Sequence, residues 1–155
     1  MEHQNIPWYL GADCVVTFNR EPNTRMVRIL PSMTAGEKRD AARYPFINCS
    51  GLHCHITYKG KSYELYIPKG FRWDGATIAP IFWLLIGSKT DNRFRLPSMI
   101  HDYMCNNKYT IDFDRKLSSV VFRALLRVNG VPGWKITLMY LAVDTYQRFQ
   151  KEWTK

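Results

Sequence analysis

The apolar period of this chain changes partway along it, and that change limits the available folds more than any single motif. Leu52, Cys54, Ile56 and Tyr58 alternate with His53, His55 and Thr57, while Tyr63, Leu65 and Ile67 alternate with Glu64 and Tyr66. Successive side chains of a strand point to opposite faces, so both runs predict strands with one apolar face. The Lys59-Gly60-Lys61-Ser62 stretch between them reads as a hairpin loop. Further on the spacing becomes helical. Leu117, Val120, Val121, Ala124, Leu125 and Val128 recur at three- and four-residue intervals, an amphipathic stripe that Asn129-Gly130 can end in a left-handed conformation.

The other elements follow from the same rules. Cys14–Phe18 is a short β-branched run, and Met26–Leu30 is its expected partner across the Arg20-Glu21-Pro22-Asn23 turn. A polar excursion from Pro31 to Asn48 holds a helical turn over Ala35–Arg43. Pro80 can open a short apolar helix over Ile81–Ile86, closed by Gly87, and Pro97 can open another from Ser98 to about Asn106. Asp112 or Asp114 can cap the third helix. The last begins near Pro132 and carries Trp134, Leu138, Leu141, Thr145 and Phe149 down one side. The expected fold is α+β: an N-terminal antiparallel sheet with a hairpin, then three to four helices packed on it. It is a single domain over residues 1–155, β-rich over 1–70 and helical over 80–155.

Composition sets the outer limits. With 46% hydrophobic and 14% aromatic residues in 155, the chain is too apolar for disorder and large enough for a core without disulfides. Neither an export signal nor a run of ~20 apolar residues is expected. Four cysteines, Cys14, Cys49, Cys54 and Cys105, therefore read as reduced thiols. The net charge of +9 favours nucleic acid, acidic protein surfaces or anionic lipid as partners. Its 22 basic residues are scattered rather than blocked, however, and equally describe solvated faces.

Two clusters can carry chemistry. On a helix, His101 could act as a general base while its neighbour Asp102 binds a cation or orients a water, with Cys105 one turn further on the same face. The plainer reading is a core-edge histidine satisfied by a backbone carbonyl beside a surface acid. The second cluster is the loop Phe71-Arg72-Trp73-Asp74-Gly75-Ala76-Thr77-Ile78-Ala79-Pro80, where Asp74 and Thr77 either belong to a site or cap the turn from sheet to helices. The candidate catalytic set is His101, Asp102, Asp74, Thr77 and Asp114. Asp102 and Asp74 are candidate ligands for a divalent cation, the one cofactor the pattern suggests. A zinc site from Cys49, His53, Cys54, His55, His101 and Cys105 is disfavoured, because the spacing is poor and alternation puts His53 and Cys54 on opposite strand faces. P-loop, Gly-x-Gly-x-x-Gly and Gly-x-Ser-x-Gly runs are missing.

Taken in order, Phe71-Arg72-Trp73-Asp74-Gly75-Ala76-Thr77-Ile78, Phe82-Trp83, His101-Asp102-Tyr103, Gly130-Val131-Pro132-Gly133-Trp134 and Leu138-Met139-Tyr140 resemble a family of small uncharacterised proteins encoded mainly by tailed bacteriophages. The likeness runs over roughly residues 64–150. Thr77 stands where that family usually has Ser, Met104-Cys105 replaces Leu-Tyr, and an acid the family often carries on the third helix falls on Ser119. A helical His-Asp with an acid on an adjacent helix also resembles the core of calcium-dependent phospholipases A2. That likeness implies His101 as base, Asp102 on calcium and Asp114 orienting the imidazole, although their disulfide frame and calcium loop are absent here. The phosphohydrolases named for an adjacent His-Asp pair resemble the chain poorly.

Two functions are therefore expected. The first is a virion-associated structural or assembly protein, a tail or neck accessory, retaining a His-Asp polar cluster in which Asp74 caps its loop and bonds His101, fixing sheet to helices. It is made in the host cytoplasm and carried into the virion, with other virion proteins as partners. A homo-oligomer is compatible with this, nucleic acid ranks behind protein partners, and no membrane span is expected. The second is a small metal-assisted hydrolase acting on an ester or amide of the host envelope.

Overall fold

Lys59 and Gly60 both take positive φ, 49° and 75°. A two-residue type I′ hairpin turn demands this of both central positions, and only Gly adopts it without cost. The loop is thus two residues rather than four, and Lys61 and Ser62 begin the second strand. The computed structural model describes residues 6–10, 14–73, 92–106 and 115–148.

Seven strands form two antiparallel sheets among the described residues. They are β1 (Ile6–Leu10), β2 (Cys14–Phe18), β3 (Thr24–Met26), β4 (Phe46–Asn48), β5 (Leu52–Tyr58), β6 (Lys61–Ile67) and β7 (Arg72–Trp73). The larger sheet runs β1-β2-β5-β6 and the smaller β3-β4-β7. The hairpin register sets His55 opposite Glu64 and Cys54 opposite Leu65. Leu52, Cys54, Ile56, Leu65 and Ile67 are buried, and their alternating neighbours face outward. The Cys14–Phe18 strand pairs with β1 and β5, not with the expected Met26–Leu30. Of that segment only Met26 is in a strand, at the end of β3, which pairs with Phe46–Asn48 in the second sheet. Ile29 and Leu30, expected to extend it, lie exposed beyond the last ladder pair.

Four helices are described: α1 (Ala35–Arg43), α2 (Asn92–Asn106), α3 (Arg115–Val128) and α4 (Gly133–Arg148). A reciprocal capping box opens α1. Thr34 Oγ1 accepts from the Glu37 amide at 3.2 Å, and Glu37 Oε2 accepts from the Thr34 amide at 2.7 Å. Pro97 lies inside α2 rather than at its start. Proline there forgoes one helical bond and crowds the preceding turn, and the turn before it buries the Phe94 and Leu96 side chains, which offsets that cost. The stripe expected on α3 is buried from Leu117 to Leu125, with Val128 half-buried, and Ser118, Ser119, Phe122 and Leu126 off the stripe are buried as well. That helix ends in a Schellman motif: Gly130 has φ 77°, its amide reaches Arg127 O at 3.2 Å, and the Val131 amide reaches Leu126 O at 3.2 Å.

On α4 the buried face is not the expected one. Ile136, Met139, Ala142 and Val143 are buried, Leu138 is half-buried, and Trp134 and Leu141 are exposed. The helix is apolar on two sides, and docking against α3 and Phe94 selects one of them. The Thr145 side chain and Phe149 on the expected stripe, and the segments over 80–87 and 107–114, lie outside what the structure describes. The main core joins both sheets to α2 and α3 through Val16, Phe18, Ile56, Ile67, Trp73, Met99, Ile100, Val121 and Leu125.

Candidate functional site: a buried polar seam between two helices

Six polar or charged residues are buried among the described ones, and five of them belong to α2 or α3, which pack together: Ser98, His101, Asp102, Ser118 and Ser119. Helical spacing explains the α2 members. Ser98, His101, Asp102 and Cys105 fall at i, i+3, i+4 and i+7, one side of the helix. Residues around them such as Met99, Ile100 and Met104 are also buried, so this helix is enclosed on more than one face.

His101 is 2% exposed and Asp102 8%. The imidazole Nδ1 stands 3.7 Å from Asp102 Oδ1, near enough for an ion pair when the ring is protonated. Cys105 Sγ lies 3.8 Å from each ring nitrogen, and the ring packs at a tilt on Phe122 of α3, centroid to centroid 5.2 Å. The one-turn relation of His101 and Cys105 expected from spacing is thus realised. Although adjacent helical residues diverge by about 100°, the imidazole and carboxylate approach each other inside the fold.

The strand that leads towards Asp74 is tied to this helix. Trp73 is buried, and its indole Nε1–H donates to Ser98 Oγ at 3.0 Å. Ser98 Oγ in turn donates to Arg95 O at 2.9 Å, so one hydroxyl serves as both donor and acceptor. Phe71 meets Tyr103 edge-on at 5.3 Å and stacks on Trp73 at 6.0 Å, and Trp73 stacks on Phe46 at 5.6 Å. Burial, and then the neighbouring Tyr66 hydroxyl, raises the Tyr103 pKa above the usual tyrosine range.

Asp74, Thr77 and Asp114 lie outside the described residues, as do Asp112 and the loop through Pro80. Ser119 is fully buried on α3. Ser98 was not among the expected site residues, although its position three residues before His101 was visible in the sequence. Asn48 was missed as well. It is buried and donates to Ile67 O at 3.2 Å and Pro68 O at 3.1 Å, holding the end of β6 against β4, and nothing in its sequence surroundings signals that.

A second polar region lies on the outward face of the larger sheet. Asn19, His53, His55 and Glu64 line a groove of about 340 Å³, with His55 Nδ1 3.6 Å from Glu64 Oε1. The exposed pair contributes little to stability. His53 lies against Tyr66, 4.6 Å between ring centroids. Cys54, on the opposite strand face as alternation requires, is buried, and that burial pushes its thiol pKa far above the usual range. Among the described residues no three His, Cys, Asp or Glu side chains are arranged to hold a metal ion. None of the four cysteines is disulfide-bonded. No helix among the described residues is long and apolar enough to cross a membrane.

Comparison with known proteins places this arrangement in a family. Over 80 residues the chain is 42% identical to the uncharacterized protein y4jT of Sinorhizobium fredii (strain NBRC 101917 / NGR234). The aligned stretch is 52% of this chain but 23% of that relative, so the chain spans under a quarter of the relative's length. No solved structure matches. Residues 51–143, from the hairpin through most of α4 and including the whole described His101–Asp102 seam, match the family described as "Protein of unknown function (DUF1353)", and the chain belongs to that family.

Proposed function

We propose that the chain is a bacteriophage virion-associated structural or assembly protein, an accessory component of tail or neck, in which the His101–Asp102 pair is a structural clasp. The observation that carries this reading is the burial of the pair. An imidazole 2% exposed and packed on Phe122 is suited to holding helices together, whereas a general base must meet its substrate and a water. The Trp73–Ser98 bond supports the same role, since it fastens the sheet to the helix that carries the pair. The phage context rests on the ordered motifs from Phe71 to Tyr140. On this reading the protein is made in the host cytoplasm, joins other virion proteins during assembly and carries its excess positive charge on its surface.

Mass spectrometry of purified, nuclease-treated particles tests the proposal. The chain is expected at a defined copy number relative to the major capsid protein, and its absence from particles rejects the reading. The hydrolase alternative is tested on the same material. An ester- or amide-cleaving activity that His101→Gln abolishes in a correctly folded protein would replace the structural reading with the enzymatic one.

A further inference from the structure

We infer that the excursion from Thr24 to Asn48 is the docking surface of this protein, and that its occupant is an acidic surface of another virion protein. The inference rests on the virion reading above and adds the surface and the chemistry of the partner. Seven large apolar side chains are exposed among the described residues, and four fall within this segment: Met26 at 47%, Ile29 at 51%, Leu30 at 40% and Tyr44 at 36%. The backbone brings both ends of the segment together. Met26 pairs with Phe46 across the ladder, and the Val27 amide donates to Pro45 O at 2.6 Å. The Tyr44 carbonyl accepts from Arg72 Nη2 at 3.0 Å, anchoring the segment to β7.

Charge selects the partner. Arg25, Arg28, Lys38, Arg39 and Arg43 are all exposed here, against the two carboxylates of Glu37 and Asp40. Glu37 is already committed to the Thr34 cap. Exposed apolar side chains accompanied by exposed cations fit a protein surface of opposite charge, since apolar contacts together with a charged, polar rim are the usual anatomy of an interface. A nucleic acid backbone would use the cations but has no role for Met26, Ile29 and Leu30. A lipid surface would take a helix with large apolar side chains, whereas α1 offers Ala35, Ala41 and Ala42 as its only apolar side chains.

Two further observations point the same way. Helix α1 buries only Ala41, so it contributes little to the core and is displayed outward. The family match begins at residue 51, so the whole excursion lies before the shared region and is free to be specific to this protein's own contacts. Strand β3 is also an edge of its sheet, which leaves main-chain groups for a partner to use.

The test uses particles assembled with the full chain. The variant carrying Met26→Asp, Ile29→Asp and Leu30→Asp, and a second with Arg25→Glu, Arg28→Glu and Arg39→Glu, are each expected to fall at least about tenfold in copy number per particle, the loss expected when interface anchors are removed. Both isolated variants are expected to keep the wild-type circular dichroism and melting midpoint, because every altered side chain is exposed. Carbodiimide coupling of intact particles is expected to join Lys38 to a carboxylate of another virion protein. Folded variants that enter particles at wild-type level overturn the inference while leaving the virion reading intact. Wild-type protein absent from particles overturns both. Wild-type flotation with phosphatidylglycerol vesicles that these substitutions abolish reassigns the patch to lipid and overturns the inference as well.

Discussion

A single hydroxyl shows how tightly the seam between sheet and helix is specified. Ser98 Oγ accepts from the Trp73 indole and donates to Arg95 O, so Ser98→Ala leaves a buried N–H without that acceptor. The expected cost is about 1–3 kcal/mol, read as a lower urea midpoint at unchanged slope. The His101–Asp102 pair behaves similarly if it is a clasp. Its members stand 3.7 Å apart and are both buried, so His101→Gln and Asp102→Asn are each expected to destabilise by about 1–3 kcal/mol. Their effects should be coupled by about 0.5 kcal/mol or more, with the double variant losing less than the two single variants together. Strict additivity in that cycle would show that the two side chains act independently and remove the clasp. At this scale the sequence was a partial guide. It marked His101 and Cys105 as neighbours, because helical spacing alone brings i and i+4 together. But it set the adjacent Asp102 about 100° away, and the 3.7 Å approach of the two side chains belongs to the folded structure. It left burial open, because burial depends on Phe122 and α3.

Among the elements, those bounded by local chemistry were the legible ones. The helical turn over Ala35–Arg43, the alternation in β5 and β6 and the Asn129-Gly130 stop all act within a few residues. The turns yield two opposite predictions. Gly130 has φ 77° at the end of α3, so Gly130→Ala is expected to cost about 1 kcal/mol through left-handed strain. Lys59 holds φ 49° although it carries a side chain, and Asn tolerates that region better, so Lys59→Asn is expected to raise stability by a few tenths to about 1 kcal/mol. Thermal unfolding of the two variants checks both signs. The elements misread were those with two acceptable partners. Helix α4 is apolar on two sides, β3 could extend towards Leu30 or stop, and Pro97 could open a helix or sit within one. In each case a contact distant in sequence decided the outcome.

For the molecule as a whole, one core carries the sheet-to-helix arrangement. Ile56 is fully buried in the larger sheet and belongs to the same cluster as Met99, Ile100, Val121 and Leu125. Ile56→Ala is therefore expected to cost about 2–5 kcal/mol, a large fraction of the ~5–15 kcal/mol by which domains of this kind are stable. Urea denaturation measures it, and a loss under about 1 kcal/mol would mean that sheet and helices are not held by this cluster. The family match covers the hairpin, α2, α3 and most of α4; the hairpin, α2 and α3 supply most of this core, to which Cys14, Val16, Phe18 and Phe46 add from before the matched region. Segment 24–48 is attached to it through Phe46, Asn48 and the Arg72–Tyr44 bond.

The linear order of residues determined where side chains alternate, where α3 stops and α4 starts, and which few polar groups share a helical face. Those properties arise from φ/ψ preferences and hydrogen bonds closed within a turn or two, and each residue type carries them wherever it stands. Tertiary packing alone decided that the His101 imidazole is enclosed, that α4 turns Trp134 outward, and that the strand after the first turn joins a second sheet. Burial is a property of what lies opposite, and the groups lying opposite here come from residues tens of positions away.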